Sequence, residues 1–184
     1  MDNMERRTAI ELRASGNRVE GYAAVFDKFS EDLGGFIERI ERGAFTRSLA
    51  KKKDVVALYD HEPRNLLGRT SSGTLRLSED TRGLHFSLDM PNTSLGRDVL
   101  ELVGRGDVKG ASFAFRTAKG GDRWTQQDGK PLRILSEINL FDVTITSQPA
   151  YPDTSVVKRS MMCVENLDPL YHYKLKLRVM GGAL

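Results

Sequence analysis

The chain has 184 residues, 39% of them hydrophobic and 29% charged, which fits one soluble globular domain with a full core. No apolar run approaches the roughly 20 residues of a membrane helix, and the first seven residues lack the apolar centre of a secretory signal, so we expect synthesis inside the cell and no membrane partner. Five basic and two acidic residues follow residue 157 and account for the net charge of +3. The rest of the chain is neutral overall, which disfavours a nucleic-acid partner.

Strand patterns dominate the first half of the chain. Short runs that alternate in polarity, or that are rich in β-forming residues, predict strands at residues 8–14, 18–26, 36–40, 55–59, 74–78 and 84–90. The turn signals at residues 15–17 and 79–83 predict that the first two strands and the last two strands form hairpins. Residues 43–50 have helical composition.

One helix and two further strands are predicted in the second half. Residues 95–103 have one apolar face, with Thr93 or Ser94 as the N-cap and Gly104 as the stop. A short strand at 109–115 follows, then a polar, glycine-bearing flexible loop at 117–130 and one long strand at 132–146. Many short strands without a βαβ rhythm indicate an antiparallel barrel or sandwich with peripheral helices, a mainly β (α+β) fold.

The strand at residues 109–115 carries a serine among small residues. Successive side chains of a strand point to opposite faces, so Gly110, Ser112 and Ala114 share one face while Phe113 and Phe115 share the other. This pattern predicts an exposed nucleophile on an uncrowded face. A strand serine that only faces solvent or bonds a neighbouring strand is the alternative.

A serine nucleophile needs a base, and the chain has three histidines. His61 follows an apolar run and opens a polar loop at residues 62–65, where a scaffold typically presents a working side chain, although it could equally cap the end of a strand. His85 fits a solvent-facing strand position, and His172 lies near the end of the chain.

The base needs an orienting acceptor, for which Asp142 and Glu137 are candidates. Asp142 interrupts an apolar stretch, where a carboxylate is unfavourable unless it has a partner or opens onto a site. Glu137 lies before that stretch, where solvent exposure explains it. We therefore favour Asp142 and keep Glu137 as the less favoured third member.

Three motifs in order resemble the prohead maturation proteases of tailed bacteriophages. They are residues 55–60 followed by His61, residues 110–115 around Ser112, and residues 140–146 leading to Pro149-Ala150-Tyr151-Pro152-Asp153. The resemblance covers roughly residues 6–159 and implies an antiparallel β-barrel like that of the herpesvirus assembly proteases, which use a serine and two histidines. It implies Ser112 as nucleophile and His61 as general base, with Asp142 in the place of the second histidine.

The donors that stabilise the oxyanion are less defined. The herpesvirus enzymes use an arginine after the third triad residue, and this chain has Ser147-Gln148-Pro149 there. Backbone N–H groups at Ser112 and Phe113, or the side chain of Arg116, are the candidates. The sequence lacks Gly-x-Ser-x-Gly, a phosphate-binding loop and a metal-ligand cluster, so we expect neither an α/β-hydrolase nor a cofactor.

The resemblance also implies a biological setting. Such enzymes act in the host cytoplasm inside an assembling procapsid, where they cut the scaffolding part of the major capsid protein and themselves, and related enzymes suggest a homodimer. Residues 1–160 would form the protease domain, and the divergent tail at 161–184, which includes an incidental Cys163, would be flexible, removed by self-cleavage or used for capsid docking. The alternative is a non-catalytic assembly factor of the same fold that binds a capsid-protein strand.

Overall fold

The computed structural model describes residues 4–9 and 12–147, and this part of the chain is mainly β. The strands are β1 Glu5–Ala9, β2 Leu12–Ser15, β3 Arg18–Val25, β4 Ile37–Ile40, β5 Val56–Tyr59, β6 Glu62–Arg69, β7 Leu75–Glu79, β8 Gly83–Asp89, β9 Gly110–Thr117, β10 Asp122–Gln127, β11 Lys130–Leu135 and β12 Ile138–Thr146; the helices are α1 Thr46–Ala50 and α2 Ser94–Arg105. The predicted mainly β class with few helices is confirmed.

The strands form three sheets. A five-stranded sheet has the order β1-β9-β12-β5-β6, a four-stranded sheet β2-β3-β8-β7 and a three-stranded sheet β10-β11-β4. Most neighbouring strands are antiparallel, but β12 with β5 and β11 with β4 run parallel. Within the described residues no sheet closes on itself, so the barrel stays a prediction.

One face of the five-stranded sheet packs into the core. Phe113 and Phe115 of β9 are at most 1% exposed, and their rings stack with centroids 5.2 Å apart. The ring of Phe45, just before α1, packs edge-on against that of Phe113, with centroids 5.5 Å apart. The ring of Phe26 packs next to that of Phe45, with centroids 6.0 Å apart. Aromatic pairs at these distances stabilise the core beyond the burial of their area.

Two predicted strands are each divided between two sheets. Residues 8–14 are split between β1 and β2, and only β2 forms the predicted hairpin with β3. Residues 132–146 are split between β11 and β12 at Ser136-Glu137, whose backbone N–H groups both donate to Gly121 O. The prediction of a single strand was wrong in both cases because alternation alone does not show where a chain changes sheet.

The predicted loop at residues 117–130 is largely a hairpin. β10 pairs with β11 through the two-residue turn Asp128-Gly129, in which both residues have positive φ, 49° and 76°. Asp-Gly favours this type I′ turn, which matches the twist of the strands that it joins. Trp124 packs on Phe36, with ring centroids 5.2 Å apart, so this polar segment is ordered by packing on its neighbour.

α2 begins and ends with recognisable caps. Thr93 is the N-cap, and its hydroxyl oxygen accepts a hydrogen bond from Gly96 N at 3.1 Å. Gly104 lies inside the helix, which ends instead at Gly106 with φ 79°. The predicted stop at Gly104 is therefore two residues early, because the left-handed cap conformation falls on the second glycine. Neither this helix nor α1 is long and apolar enough to cross a membrane, and no other helix occurs in the described ranges.

Candidate active site

Ser112 and His61 are in hydrogen-bond contact on the outer face of the five-stranded sheet. Ser112 Oγ lies 2.7 Å from His61 Nε2. Ser112 pairs with Thr144 of β12 on one side and with Thr8 of β1 on the other, so the serine lies on a central strand. A central strand fixes the backbone of the serine on both sides.

Ser112 is buried, contrary to the prediction of an exposed serine. Only 3% of the residue is accessible. The edge strand β1 lies beside β9, and Ser112 Oγ is 2.7 Å from the carbonyl oxygen of Arg7. The small residues Gly110 and Ala114 on the same face are buried as well. The sequence pattern identified the small face correctly but did not reveal the strand that covers it.

His61 is carried by a tight turn between β5 and β6. Tyr59 pairs with Glu62, which leaves Asp60 and His61 as a two-residue turn with φ 51° and 54°. Positive φ is unusual for residues other than glycine, although Asn, Asp and His adopt it more often than most. The predicted polar loop at residues 62–65 is wrong, because these residues begin β6, an edge strand that tolerates its Pro63.

The carboxylate of Asp60 fastens this turn to the end of β12. Its Oδ1 accepts hydrogen bonds from Thr146 Oγ1 at 3.0 Å and from Ser147 N at 2.9 Å. The Asp60 N–H donates to Ile145 O at 3.0 Å. These bonds compensate for the strained turn and set the position from which His61 reaches Ser112.

A β-bulge in β12 turns Asp142 toward His61. The pairing of β12 with β9 shifts register between Leu140 and Asp142, so Phe141 is an extra residue. Leu140 and Val143 are buried in the core, whereas Phe141 and Asp142 both line the outer face. Strict alternation would place Asp142 in the core together with Leu140. The bulge therefore makes a carboxylate possible at this position.

Asp142 and Thr144 both contact the other nitrogen of His61. His61 Nδ1 lies 3.0 Å from Asp142 Oδ1 and 3.1 Å from Thr144 Oγ1, and the Thr144 hydroxyl donates to Asp142 Oδ1 at 2.9 Å. An N–H on Nδ1 that faces this carboxylate leaves the lone pair of neutral His61 on Nε2, toward Ser112. The carboxylate is only 9% exposed, so solvent screens its interaction with His61 weakly.

The other candidates lie elsewhere. Glu137 bonds Arg47 of α1 at 3.1 Å, away from His61. His85 packs edge-on against Tyr22, with ring centroids 5.3 Å apart. His172 lies outside the described residues, as do Cys163 and the predicted tail. Among the residues that the structure does describe, no group of three or more His, Cys, Asp or Glu is placed to hold a metal ion.

Three contacts of the site were missed in the sequence. They involve Thr144, Asp60 and the backbone carbonyl of Arg7. Thr144 could have been found, because it is two residues from Asp142 and shares its face of the strand. The Arg7 contact left no local signal, since it depends on the pairing of two strands distant in the sequence.

The predicted oxyanion donors lie on β9. Ser112 and Phe113 pair with residues of both β1 and β12. Arg116 is on the same face as Ser112, four residues along the strand, and its guanidinium lies 5.0 Å from the ring centroid of Phe141. A cation over an aromatic face is favourably placed.

A cluster of charges fixes β1 beside β9. Arg7 donates to both carboxylate oxygens of Glu38, from Nε at 2.6 Å and from Nη2 at 2.9 Å, and Arg133 donates to Glu5 Oε1 at 3.1 Å. Burial acts to raise the pKa of Glu5, but the hydrogen bond and charge of Arg133 and the charge of Arg7 outweigh it and lower that pKa. Glu38 is only 2% exposed and well paired, as a buried charge must be.

Comparison with known proteins assigns the chain to a family. The model of the caudovirus prohead serine protease family matches residues 4–167. The chain belongs to this family. Its membership confirms the resemblance drawn from the motifs around His61, Ser112 and Asp142. The chain has no match among curated proteins.

A solved structure is also similar to this chain. It is described as the structure of the bacteriophage T4 capsid assembly protease, gp21, and is 10% identical in sequence. The match covers 79% of this chain and 99% of that chain, with a TM-score of 0.47.

Proposed function

We propose that the protein is a serine endopeptidase of phage capsid assembly, with Ser112 as nucleophile, His61 as general base and Asp142 as the acid that orients His61. The observation that carries the proposal is the continuous line of contacts from Ser112 Oγ to His61 Nε2, at 2.7 Å, and from His61 Nδ1 to Asp142 Oδ1, at 3.0 Å. These are the contacts that a serine–histidine–acid triad requires.

The proposed reaction has two stages. His61 Nε2 takes the proton of Ser112 as Oγ attacks the peptide carbonyl carbon, and the imidazolium then gives this proton to the leaving amine. Water, deprotonated by the same nitrogen, releases the acyl group from Ser112. Asp142 accepts the Nδ1–H throughout and stabilises the positive charge on the ring.

The Arg7 carbonyl competes with His61 for the serine proton. A serine hydroxyl has one hydrogen, and Ser112 Oγ has two neighbours at 2.7 Å. When His61 is protonated, its Nε2–H donates to Ser112 and the serine donates to the Arg7 carbonyl. When His61 is neutral, the serine can donate to Nε2, which is the arrangement needed for attack.

The oxyanion donors remain the same candidates. We propose the guanidinium of Arg116, which is on the outer face of β9. The backbone N–H groups of Ser112 and Phe113 are the less favoured donors, because β9 lies between β1 and β12 and its N–H groups are used in the sheet. Glu137 remains the less favoured third member of the triad, because its contact is with Arg47. We also propose that the sheets of the complete chain form an antiparallel β-barrel of the herpesvirus assembly protease type.

Family membership supports the substrate and setting that we propose. These are the scaffolding part of the major capsid protein, and the protease itself, inside the procapsid in the host cytoplasm. We propose residues 1–160 as the protease domain, although the family match extends to residue 167, and residues 161–184 as a removable or docking tail. We also propose that the protease forms a homodimer and that it uses no nucleic-acid partner, no membrane and no cofactor.

Co-expression with the major capsid protein tests the function. We expect the parent to shorten the capsid protein and Ser112→Ala to leave it intact, with the circular dichroism of the two proteases unchanged. A fluorophosphonate, which labels activated serines, should label the parent but not Ser112→Ala. Capsid protein that is processed equally by both would refute the role of Ser112. Binding of capsid protein without cleavage or labelling would favour the non-catalytic assembly factor.

A further inference from the structure

An apolar groove adjoins His61 and Asp142 on the outer face of the five-stranded sheet. It has a volume of about 360 Å³, and its apolar lining comes chiefly from Met4, Val56, Leu58, Leu66 and Phe141. Arg6 and Arg69 also line it. This volume lies within the range of ligand pockets, which begins at about 300 Å³.

The exposed apolar side chains mark this groove as a binding surface. Among the described residues, three large apolar side chains are exposed, and two of them, Met4 at 38% and Leu66 at 45%, line the groove. Leu58 is buried, yet it lies outside the core cluster. Single exposed apolar residues are ordinary, but their grouping in a concave surface beside reactive side chains indicates binding.

The strand register relates the groove to the proposed nucleophile. Ser112 pairs with Thr144, Thr144 with Leu58, and Leu58 with Leu66, so these residues form one row across the sheet. Asp142 lies in the row beside it, two residues along each strand, or about 7 Å away. An extended peptide advances by about 3.3 Å per residue. Neighbouring strands are about 4.8 Å apart, so Leu58 lies about 10 Å and Leu66 about 14 Å from Ser112 across the sheet. The groove is therefore about two to four substrate residues from Ser112.

The bulge that turns Asp142 outward also supplies one wall of the groove. Phe141, the extra residue, lines it next to Asp142, and the guanidinium of Arg116 lies 5.0 Å from the centroid of its ring. The same local irregularity thus produces the carboxylate that contacts His61 and the apolar surface beside it. A peptide bond held over Ser112 places neighbouring side chains against this surface.

We propose that the groove is a specificity subsite that binds one large apolar side chain of the substrate, about two to four residues from the cleaved bond. The proposal rests on the proposed function, since it assigns a substrate preference to that site. Leu66 is the principal residue that determines specificity, because it is exposed, lies in the row of Ser112 and belongs to the edge strand β6.

Cleavage profiling of a defined peptide library tests the subsite. A mixture of synthetic decapeptides is digested, and the cut positions are read by mass spectrometry for the parent, for Leu66→Asp and for Phe29→Asp. Phe29 is the matched control, because it is a large apolar side chain, 50% exposed, outside the groove. We expect Leu, Ile, Met or Phe to be enriched at one position, about two to four residues from the cut, in the parent and in the control.

The expected effect of Leu66→Asp is a change of preference at that same position. Its kcat/KM for the best apolar peptide should fall by about tenfold or more, and the apolar residues should lose their enrichment over polar residues at that position. If thermal unfolding shows that Leu66→Asp is not folded, Leu66→Ala gives the same loss of apolar preference without the new charge.

Three outcomes overturn the subsite. Parent cleavage without apolar enrichment, or an identical profile in the Leu66 variants, refutes it while leaving the proposed protease intact. Weaker self-association of Leu66→Asp, measured by sedimentation, with an unchanged profile assigns the groove to a second copy of the chain. If neither cleavage nor fluorophosphonate labelling depends on Ser112, both the proposed function and the subsite are refuted.

Discussion

Asp142→Asn tests the carboxylate that contacts His61. The amide is nearly the same size as the carboxylate, so the bulge and the packing of β12 are retained. Its NH₂ group can donate to His61 Nδ1, which moves the ring proton to Nε2 and removes the acceptor for the Ser112 proton. The variant therefore changes the tautomer with little change in shape.

The expected magnitude depends on Thr144. Replacing the acid of a serine–histidine–acid triad by its amide slows kcat by about 10⁴-fold. Here Thr144 Oγ1 also lies 3.1 Å from Nδ1 and can accept its proton, which partly preserves the productive tautomer. We therefore expect Asp142→Asn to lower kcat by about 10³-fold, or about 4 kcal/mol in activation free energy. Adding Thr144→Val should bring the loss to about 10⁴-fold.

The assay is steady-state hydrolysis of a peptide that the parent cleaves. The rate at which a fluorophosphonate labels Ser112 is measured as well. Glu137→Gln is the matched control, since it makes the same chemical change in a carboxylate that bonds Arg47. We expect the control to stay within about threefold of the parent. A loss below tenfold for Asp142→Asn, or a larger loss for Glu137→Gln, would refute this assignment of the third residue.

Two further predictions concern the supports of the site. Asp60→Ala removes the bonds to Thr146 and Ser147 and puts alanine at φ 51°, so we expect about tenfold lower kcat with little change in KM, measured by peptide hydrolysis. Deprotonated Glu5 stabilises the fold above its ordinary pKa of 4.5, and this stability is lost as the pH falls through its lowered pKa. Glu5→Gln should therefore lower the free energy of unfolding by about 2 kcal/mol at pH 7 and by less at about pH 3, below the ordinary pKa of 4.5, as urea titrations would show.

Each of these changes has an internal control. Asp60→Asn keeps a residue that tolerates positive φ and an oxygen that can accept from Ser147, so it should retain most of the activity. Equal losses for the alanine and asparagine variants would argue against the anchoring role. Glu101→Gln, on the exposed side of α2, should have the same small effect at both pH values. Parallel stability curves for the parent and Glu5→Gln would contradict the role of the Glu5–Arg133 pair.

Local sequence signals predicted most of the strands and the three principal residues of the site. The hairpin of β7 with β8 and the strand that precedes His61 follow from periodicity and turn composition. Ser112 stands out in the sequence because the other residues on its strand face are small, and Asp142 because it interrupts an apolar stretch. The Asp128-Gly129 turn was also readable, but the polar composition around it favoured a loop.

The features that could not be predicted depend on contacts distant in the sequence. A bulge leaves alternation intact on each side, so the sequence did not show that Phe141 and Asp142 share a face. The burial of Ser112 depends on β1, which joins β9 only in the folded sheet. The apolar residues of the groove come from three strands, β5, β6 and β12, and from Met4, which precedes β1. None of these segments is distinctive by itself.

The pairing of β1 with β9 has a consequence for when the site forms. The Arg7 carbonyl and Ser112 are 105 residues apart in the chain, and His61 is 51 residues from Ser112. Contacts that close such long loops form late and slowly in folding. The proposed site therefore forms only after the chain has been synthesised past Asp142 and has closed these loops, so its appearance lags behind synthesis of the polypeptide.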